Sequence, residues 1–175
     1  MQCPYCAAKI PGESVVCPQC GVSVEDGLPM RWYRFLTGPG LWIAGIITGI
    51  LGILTMVGIP YLIQGYAPGT IYDNFPPLVV MDFAYGLILL ALAAMFVVAR
   101  FRLADFRKGG PRLVCIAYAL VILASVIYSG ASGRVASGGT VPIITLTEIS
   151  SILGMIAGVA LNVIYFKKRE HLFYR

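Results

Sequence analysis

Residues 78–100 read LVVMDFAYGLILLALAAMFVVAR, a run with one charge inside it, Asp82, before Arg100 closes it. Wound as a helix with about 1.5 Å of rise per residue, such a run crosses the roughly 30 Å hydrocarbon layer of a bilayer. Three more blocks of this character stand at about residues 41–63, 113–129 and 141–166. Of the 175 residues, 58% are hydrophobic and 12% charged, and the mean hydropathy is +0.83. A soluble domain carries roughly a quarter of its residues charged, so an ordinary water-soluble fold is excluded. The expected class is an all-α integral membrane protein, a bundle of four transmembrane helices. The spans take about half of the chain, which leaves no room for a large catalytic domain. No repeat suggests a transporter built from two inverted halves.

Turn residues mark the boundaries. Tyr66-Ala67-Pro68-Gly69 and Asp73-Asn74-Phe75-Pro76-Pro77 lie between spans one and two. Span three is expected to be short and to fray into Ser129-Gly130-Ala131-Ser132-Gly133. Pro142 fits the first turn of span four, where its missing N–H costs nothing. Gly45, Gly49 and Gly52 share a face of span one, and Gly154 and Gly158 are one turn apart in span four. Small residues let helix backbones approach, so these faces are expected to meet other helices of the bundle or, in a homo-oligomer, of a second copy.

Four of the five cysteines fall within the first 20 residues, as Cys3-Pro4-Tyr5-Cys6 and Cys17-Pro18-Gln19-Cys20-Gly21. Two C-x-x-C turns can close a tetrahedral thiolate shell around one metal ion. The prolines preset φ for a turn, and Gly21 permits the positive φ on which such a knuckle ends. Ala7 stands where the first knuckle would repeat that glycine. The ten residues between the knuckles hold Pro11-Gly12, suited to a hairpin turn. Residues 1–27 therefore read as a small zinc-ribbon module of knuckles and a β-hairpin, with Cys3, Cys6, Cys17 and Cys20 as ligands to one structural Zn²⁺. Iron in a rubredoxin-like role and dithiol redox chemistry are the alternatives, the latter short of the βαβ scaffold that thioredoxin-like chemistry uses. With all four positions filled by protein, no open coordination site and no metal catalysis are expected. The spacing resembles the short zinc ribbons found at the ends of many prokaryotic membrane and regulatory proteins.

Residues 28–40 read as a hinge, Gly27-Leu28-Pro29 followed by the basic and aromatic Arg31-Trp32-Tyr33-Arg34-Phe35 that suits a membrane–water boundary. The chain's start lacks a basic stretch followed by an apolar core, so no cleaved secretory signal is expected and the first span reads as a retained anchor. Of the thirteen Lys and Arg residues, three precede span one, five flank the connection between spans two and three, and four follow span four. Arg134 alone falls on the other side. The positive-inside rule then puts both termini in the cytoplasm of a multi-pass cell-membrane protein. That compartment keeps thiols reduced and available to metal. The net charge of +5 lies at the membrane face, where it meets anionic lipid. The ribbon itself sets Lys9 against Glu13, Glu25 and Asp26, which gives no basic footprint for nucleic acid.

Polar residues inside the spans are candidates for chemistry. At 100° per residue Glu148, Ser151, Gly154, Met155, Gly158 and Asn162 lie on one third of span four and are expected to face the bundle interior. Counting helix rise from the inner boundary puts Glu148 and Asp82 about 3 Å inside the outer surface, with Arg134 able to approach both. An intramembrane carboxylate is an ion- or proton-site hypothesis, weighed against an interfacial role reached by headgroup water. Cys115 reads as a small buried residue and His171 as a solvated one. No Gly-rich phosphate loop and no Ser–His–Asp set is present.

The lead into span one (Gly40-Leu41-Trp42), the arginine-rich turn from Phe101-Arg102 to Pro111-Arg112 and the closing Ile164-Tyr165-Phe166-Lys167-Lys168-Arg169 give residues 36–175 an order and spacing similar to a prokaryotic four-span family, domain of unknown function 2569. The resemblance implies a four-span membrane fold and no activity. The functional expectation is a non-enzymatic adaptor, assembly or scaffold protein whose ribbon docks a protein partner. The alternative is a small transport or ion-sensing protein using Glu148 and Asp82.

Overall fold

The computed structural model describes residues 2–3, 5–12, 14–24, 30–63, 65–136 and 146–173, with the side chains of 146–151 and 171 outside the description. In chain order the helices are α1 (Arg31–Phe35), α2 (Leu41–Met56), α3 (Ile59–Ile63), α4 (Pro68–Asn74), α5 (Pro77–Ala104), α6 (Gly110–Ala136) and α7 (Leu146–Lys167). A widened turn, Leu36–Gly40, joins α1 to α2, and a short 3₁₀ turn, Glu170–Leu172, follows α7. Among the described residues no β-strand forms; antiparallel pairing is limited to the isolated bridges Gln2 with Lys9 and Val16 with Ser23.

Three helices are long and apolar enough to cross a membrane: Arg31–Met56, Pro77–Ala104 and Gly110–Ala136, of 26, 28 and 27 residues. The fourth, α7, is apolar from Ile152 to Lys167. The outward faces are apolar too, with Ile46, Ile47, Ile50, Leu51 and Ile53 of α2 and Val79, Val80, Phe83 and Leu87 of α5 exposed. Water would reject a surface of that kind, whereas hydrocarbon accepts it.

The expected boundaries of spans one and three shift. Helix begins at Arg31, ten residues ahead of the expected span, and passes through a kink at Gly38-Pro39, where Gly38 has ψ of −111°. The chain winds here because Met30, Tyr33 and Leu36 bury against the ends of α5 and α6 and the segment after α7, in a cluster with Leu103, Val114 and Phe173. The segment expected as a hinge is thus, from Met30 on, part of the core. Span one also stops at Met56, since Gly58 at φ +75° ends the helix and a Cβ there would lie 2.9 Å from the Tyr72 hydroxyl. Span three, expected to fray at Ser129, runs on to Ala136. Its backbone N–H and C=O groups need partners where water is absent, which overrides the weak helix preference of Ser and Gly.

The long helices pack in the order α2, α5, α6, α7. Gly45, Gly49 and Gly52 all face α5, and Gly52 meets Gly86 so closely that a Cβ on either would stand within 3 Å of the other's carbonyl oxygen. Helix α7 lies along α6 and reaches α1 near its own end, where the Trp32 indole N–H donates to Asn162 Oδ1 at 2.8 Å. Gly154 and Gly158, expected to meet another helix, have no described atom within 4 Å of a Cβ built on them.

Candidate metal centre

Each knuckle is built by the same hydrogen bonds, offset by fourteen positions. Ala7 N–H donates to Cys3 C=O at 2.9 Å and Cys3 N–H to Ala8 C=O at 2.9 Å; Gly21 N–H donates to Cys17 C=O at 2.9 Å and Cys17 N–H to Val22 C=O at 3.0 Å. Both turns end on a left-handed residue, Ala7 at φ +57° and Gly21 at φ +70°. The Pro11 carbonyl accepts from Ser14 N–H at 3.2 Å in the connection. Ile10 and Val24 pack against the cysteines and supply what core the module has.

The four sulfurs of Cys3, Cys6, Cys17 and Cys20 lie within 4.8 Å of one another. Cys3 to Cys20 is 3.8 Å and Cys6 to Cys17 is 3.7 Å. A tetrahedron with metal–sulfur bonds of about 2.3 Å has edges of about 3.8 Å, so the cluster has the dimensions of a four-thiolate metal site. No disulfide joins them.

The sulfurs differ in readiness to ionise. Backbone N–H groups of Cys20 and then Gln19 point at Cys17 and, against burial, bring its thiol down to about 6. The Ala8 N–H favours the Cys6 thiolate, but loss of water and three neighbouring thiols outweigh it and push Cys6 up to about 12. Four like charges at this spacing need a cation to coexist, and a divalent metal would supply it.

The second knuckle is seated on the helices. Met30 N–H donates to Gly21 C=O at 2.8 Å, and a Cβ at Gly21 would lie 2.9 Å from Arg34 Nη1. Val15 and Val16 pack with Tyr33 and Phe106 in the main core. Tyr33 in turn stacks on Phe106 at 4.9 Å between centroids and donates its hydroxyl to the Leu103 carbonyl at 3.2 Å, closing the end of α5. The first knuckle faces outward, with Cys6 exposed and Tyr5 53% exposed.

The polar candidates of the bundle do not converge. Asp82 is 1% exposed, and its carboxylate accepts from Tyr72 at 2.9 Å and from Tyr128 at 2.7 Å. Arg134 is exposed and forms no ion pair with Asp82 among the described residues. Asn162 lies near the opposite end of its helix, bonded to Trp32 and donating to the Gly158 carbonyl at 2.9 Å. The side chains of Glu148 and Ser151 lie outside the described residues. Cys115 is half-buried, 

and it lines a small recess with Lys108, Arg112, Lys167 and Glu170, the last paired with Arg112 at 3.8 Å. Sequence reasoning missed Tyr72 and Tyr128 as partners of Asp82, and Trp32 as the partner of Asn162; nothing local to either polar residue signals them. Comparison with known proteins adds nothing to these residues: no family model, no curated protein and no solved structure matches the chain.

Proposed function

We propose that this chain is a zinc-containing integral membrane protein in which four helices cross the bilayer, and that it acts as a non-enzymatic adaptor or assembly protein through its ribbon. The observation that carries this is a four-sulfur shell with one knuckle seated on the helices and the other offered outward, with Tyr5 exposed. An all-cysteine tetrahedral set is a structural zinc set and leaves no position for substrate. Helix α7, with 22 residues, is about 33 Å long and suits a fourth crossing. The basic residues of α1, of the α5–α6 connection and of the segment ending α7 gather at the ribbon end, which supports a cytoplasmic ribbon and cytoplasmic termini. The similarity to the four-span family named above rests on residue order and brings no activity.

Crosslinking in native membranes, followed by purification, tests the adaptor role. A partner captured by the wild type and lost with Tyr5→Ser, at equal membrane insertion and equal zinc content, supports it. An unchanged partner list rejects docking through the outward knuckle. Zinc below one per chain in freshly purified protein rejects the metal.

The second reading, a transport or ion-sensing protein, draws on the buried carboxylate of Asp82, which forms no ion pair among the described residues. An ion-dependent phenotype that Asp82→Asn removes would favour it.

A further inference from the structure

Between α1 and the end of α7 lies an open cleft of about 550 Å³. Its walls change character along the helix axis. Gly158 and Leu161 form the deep end, Trp32 and Asn162 the middle, and Lys168 and Arg169 the rim. From Gly158 to Lys168 is about 15 Å of helical rise, the reach from a lipid headgroup into the acyl region. Asn162 and Arg169 are 9% and 8% exposed, so the polar groups are built in and not merely superficial. The Arg169 guanidinium is held by its Nη1–H donated to the Tyr165 carbonyl at 3.0 Å and lies over the Tyr165 ring at 3.8 Å. None of the described lining residues is acidic. The deep end is open because Gly158 has no described atom within 4 Å of a built Cβ, and Leu161 is exposed beside it.

We propose that this cleft holds one anionic phospholipid, its phosphate at Lys168 and Arg169 and an acyl chain along Leu161 and Gly158. Two like-signed cations at the mouth of an apolar trough, with a tryptophan at the level between them, complement a charged headgroup continuous with hydrocarbon. A soluble anion would use the rim and leave the trough unfilled. The lipid would tie α7 to α1 where the protein itself supplies the Trp32–Asn162 hydrogen bond.

Native mass spectrometry of the full chain, released from nanodiscs of equal phosphatidylglycerol and phosphatidylcholine, tests this. The expected result is a one-to-one adduct enriched in phosphatidylglycerol. Lys168→Gln lowers that adduct about fivefold, the effect of one surface charge. Lys108→Gln, which removes a charge of the same sign outside the cleft, leaves it unchanged. Gly158→Leu, at a position where a built Cβ meets no described atom within 4 Å, fills the trough and abolishes lipid adducts of both classes. The proposal is overturned by wild-type protein with no one-to-one lipid, by equal loss in Lys168→Gln and Lys108→Gln, or by adducts that survive Gly158→Leu. Displacement of the lipid by inorganic phosphate, or a lipid-free dimer, overturns it in favour of a soluble anion or a second copy. It rests on the membrane reading, whose own failure is distinct: protein recovered from cells without detergent.

Discussion

Ala7→Gly and Gly21→Ala probe the two knuckles from opposite directions. The residues are equivalent, four positions after the first cysteine of each turn, and both have left-handed backbone, φ +57° and +70°. A side chain there costs about 1–2 kcal/mol, and glycine removes that cost while surrendering about 0.5–1 kcal/mol of extra freedom in the unfolded chain. Ala7→Gly should therefore stabilise the ribbon by about 0.5–1 kcal/mol, which becomes a two- to fivefold gain in metal affinity, roughly, because folding and binding are one event in so small a module. Gly21→Ala loses the same conformational energy and also sets a Cβ 2.9 Å from Arg34 Nη1 and 3.2 Å from Arg34 Cδ, so Arg34 must move from its seat. Its affinity should fall about fivefold or more, at about 1.4 kcal/mol per factor of ten. Competition of the detergent-solubilised chain against a chromophoric zinc chelator measures both. Equal affinities for wild type and the two variants, or a loss on Ala7→Gly, would refute the left-handed knuckle geometry.

Gly86→Ala should destabilise the bundle by about 1–3 kcal/mol, since overpacking a close helix crossing forces backbones apart; the new Cβ would lie 2.6 Å from the Gly52 carbonyl oxygen and against Met56, and thermal unfolding in detergent reads the loss. Tyr128→Phe removes the donor 2.7 Å from Asp82, at a cost of about 1–3 kcal/mol for a buried acceptor left short; an unchanged melting temperature would show the carboxylate to be hydrated. Because the Cys17 thiol is held below its ordinary value of 9.0, at about 6, its thiolate favours the folded ribbon above pH 9 in full and loses that contribution as pH falls toward 6. Metal affinity should accordingly drop steeply on acidification through pH 6, read by the same chelator competition. Metal removal should raise hydrogen exchange in residues 14–24 and also around Leu103 and Phe106, where the ribbon is seated, while α5 near Gly86 stays protected; exchange confined to the ribbon would refute the seat.

The cysteine cluster was legible in the sequence because its parts are local. All four cysteines fall within eighteen positions, and each C-x-x-C turn needs only its own backbone to form. The face of Gly45, Gly49 and Gly52 was legible too, as a helical period of small residues, and α5 fills it. Residues 30–40 misled because Gly38, Pro39 and Gly40 punctuate like a linker, whereas burial of Tyr33 and Leu36 against distant residues decides their state. Helical periodicity correctly groups Asn162 with Gly158 on one face but carries no information about what that face meets. Its partner, Trp32, is 130 positions away. Asp82 shows the same limit: depth along a helix can be counted from sequence, but the arrival of Tyr72 depends on how the short helix α4 folds back, and that of Tyr128 on how α6 packs along α5.

These contacts change what a ribbon on this chain can do. A module on a free linker presents all its surfaces, and its metal matters only to itself. Here the Gly21 carbonyl receives the Met30 N–H, Arg34 covers Gly21, and Val15 and Val16 enter the core that also holds Tyr33. The Tyr33 hydroxyl then closes the last turn of α5 through the Leu103 carbonyl. Cysteine geometry is thereby linked to the end of a long apolar helix through the Gly21 carbonyl, Val15, Val16 and the Tyr33 ring. A partner that engaged the outward knuckle at Tyr5 would bind one side of the four-cysteine cluster, whose other side is anchored to the bundle. With a metal in that cluster, binding at Tyr5 and packing at Tyr33 would be coupled by mass action through the folded module, each stabilising the state the other requires.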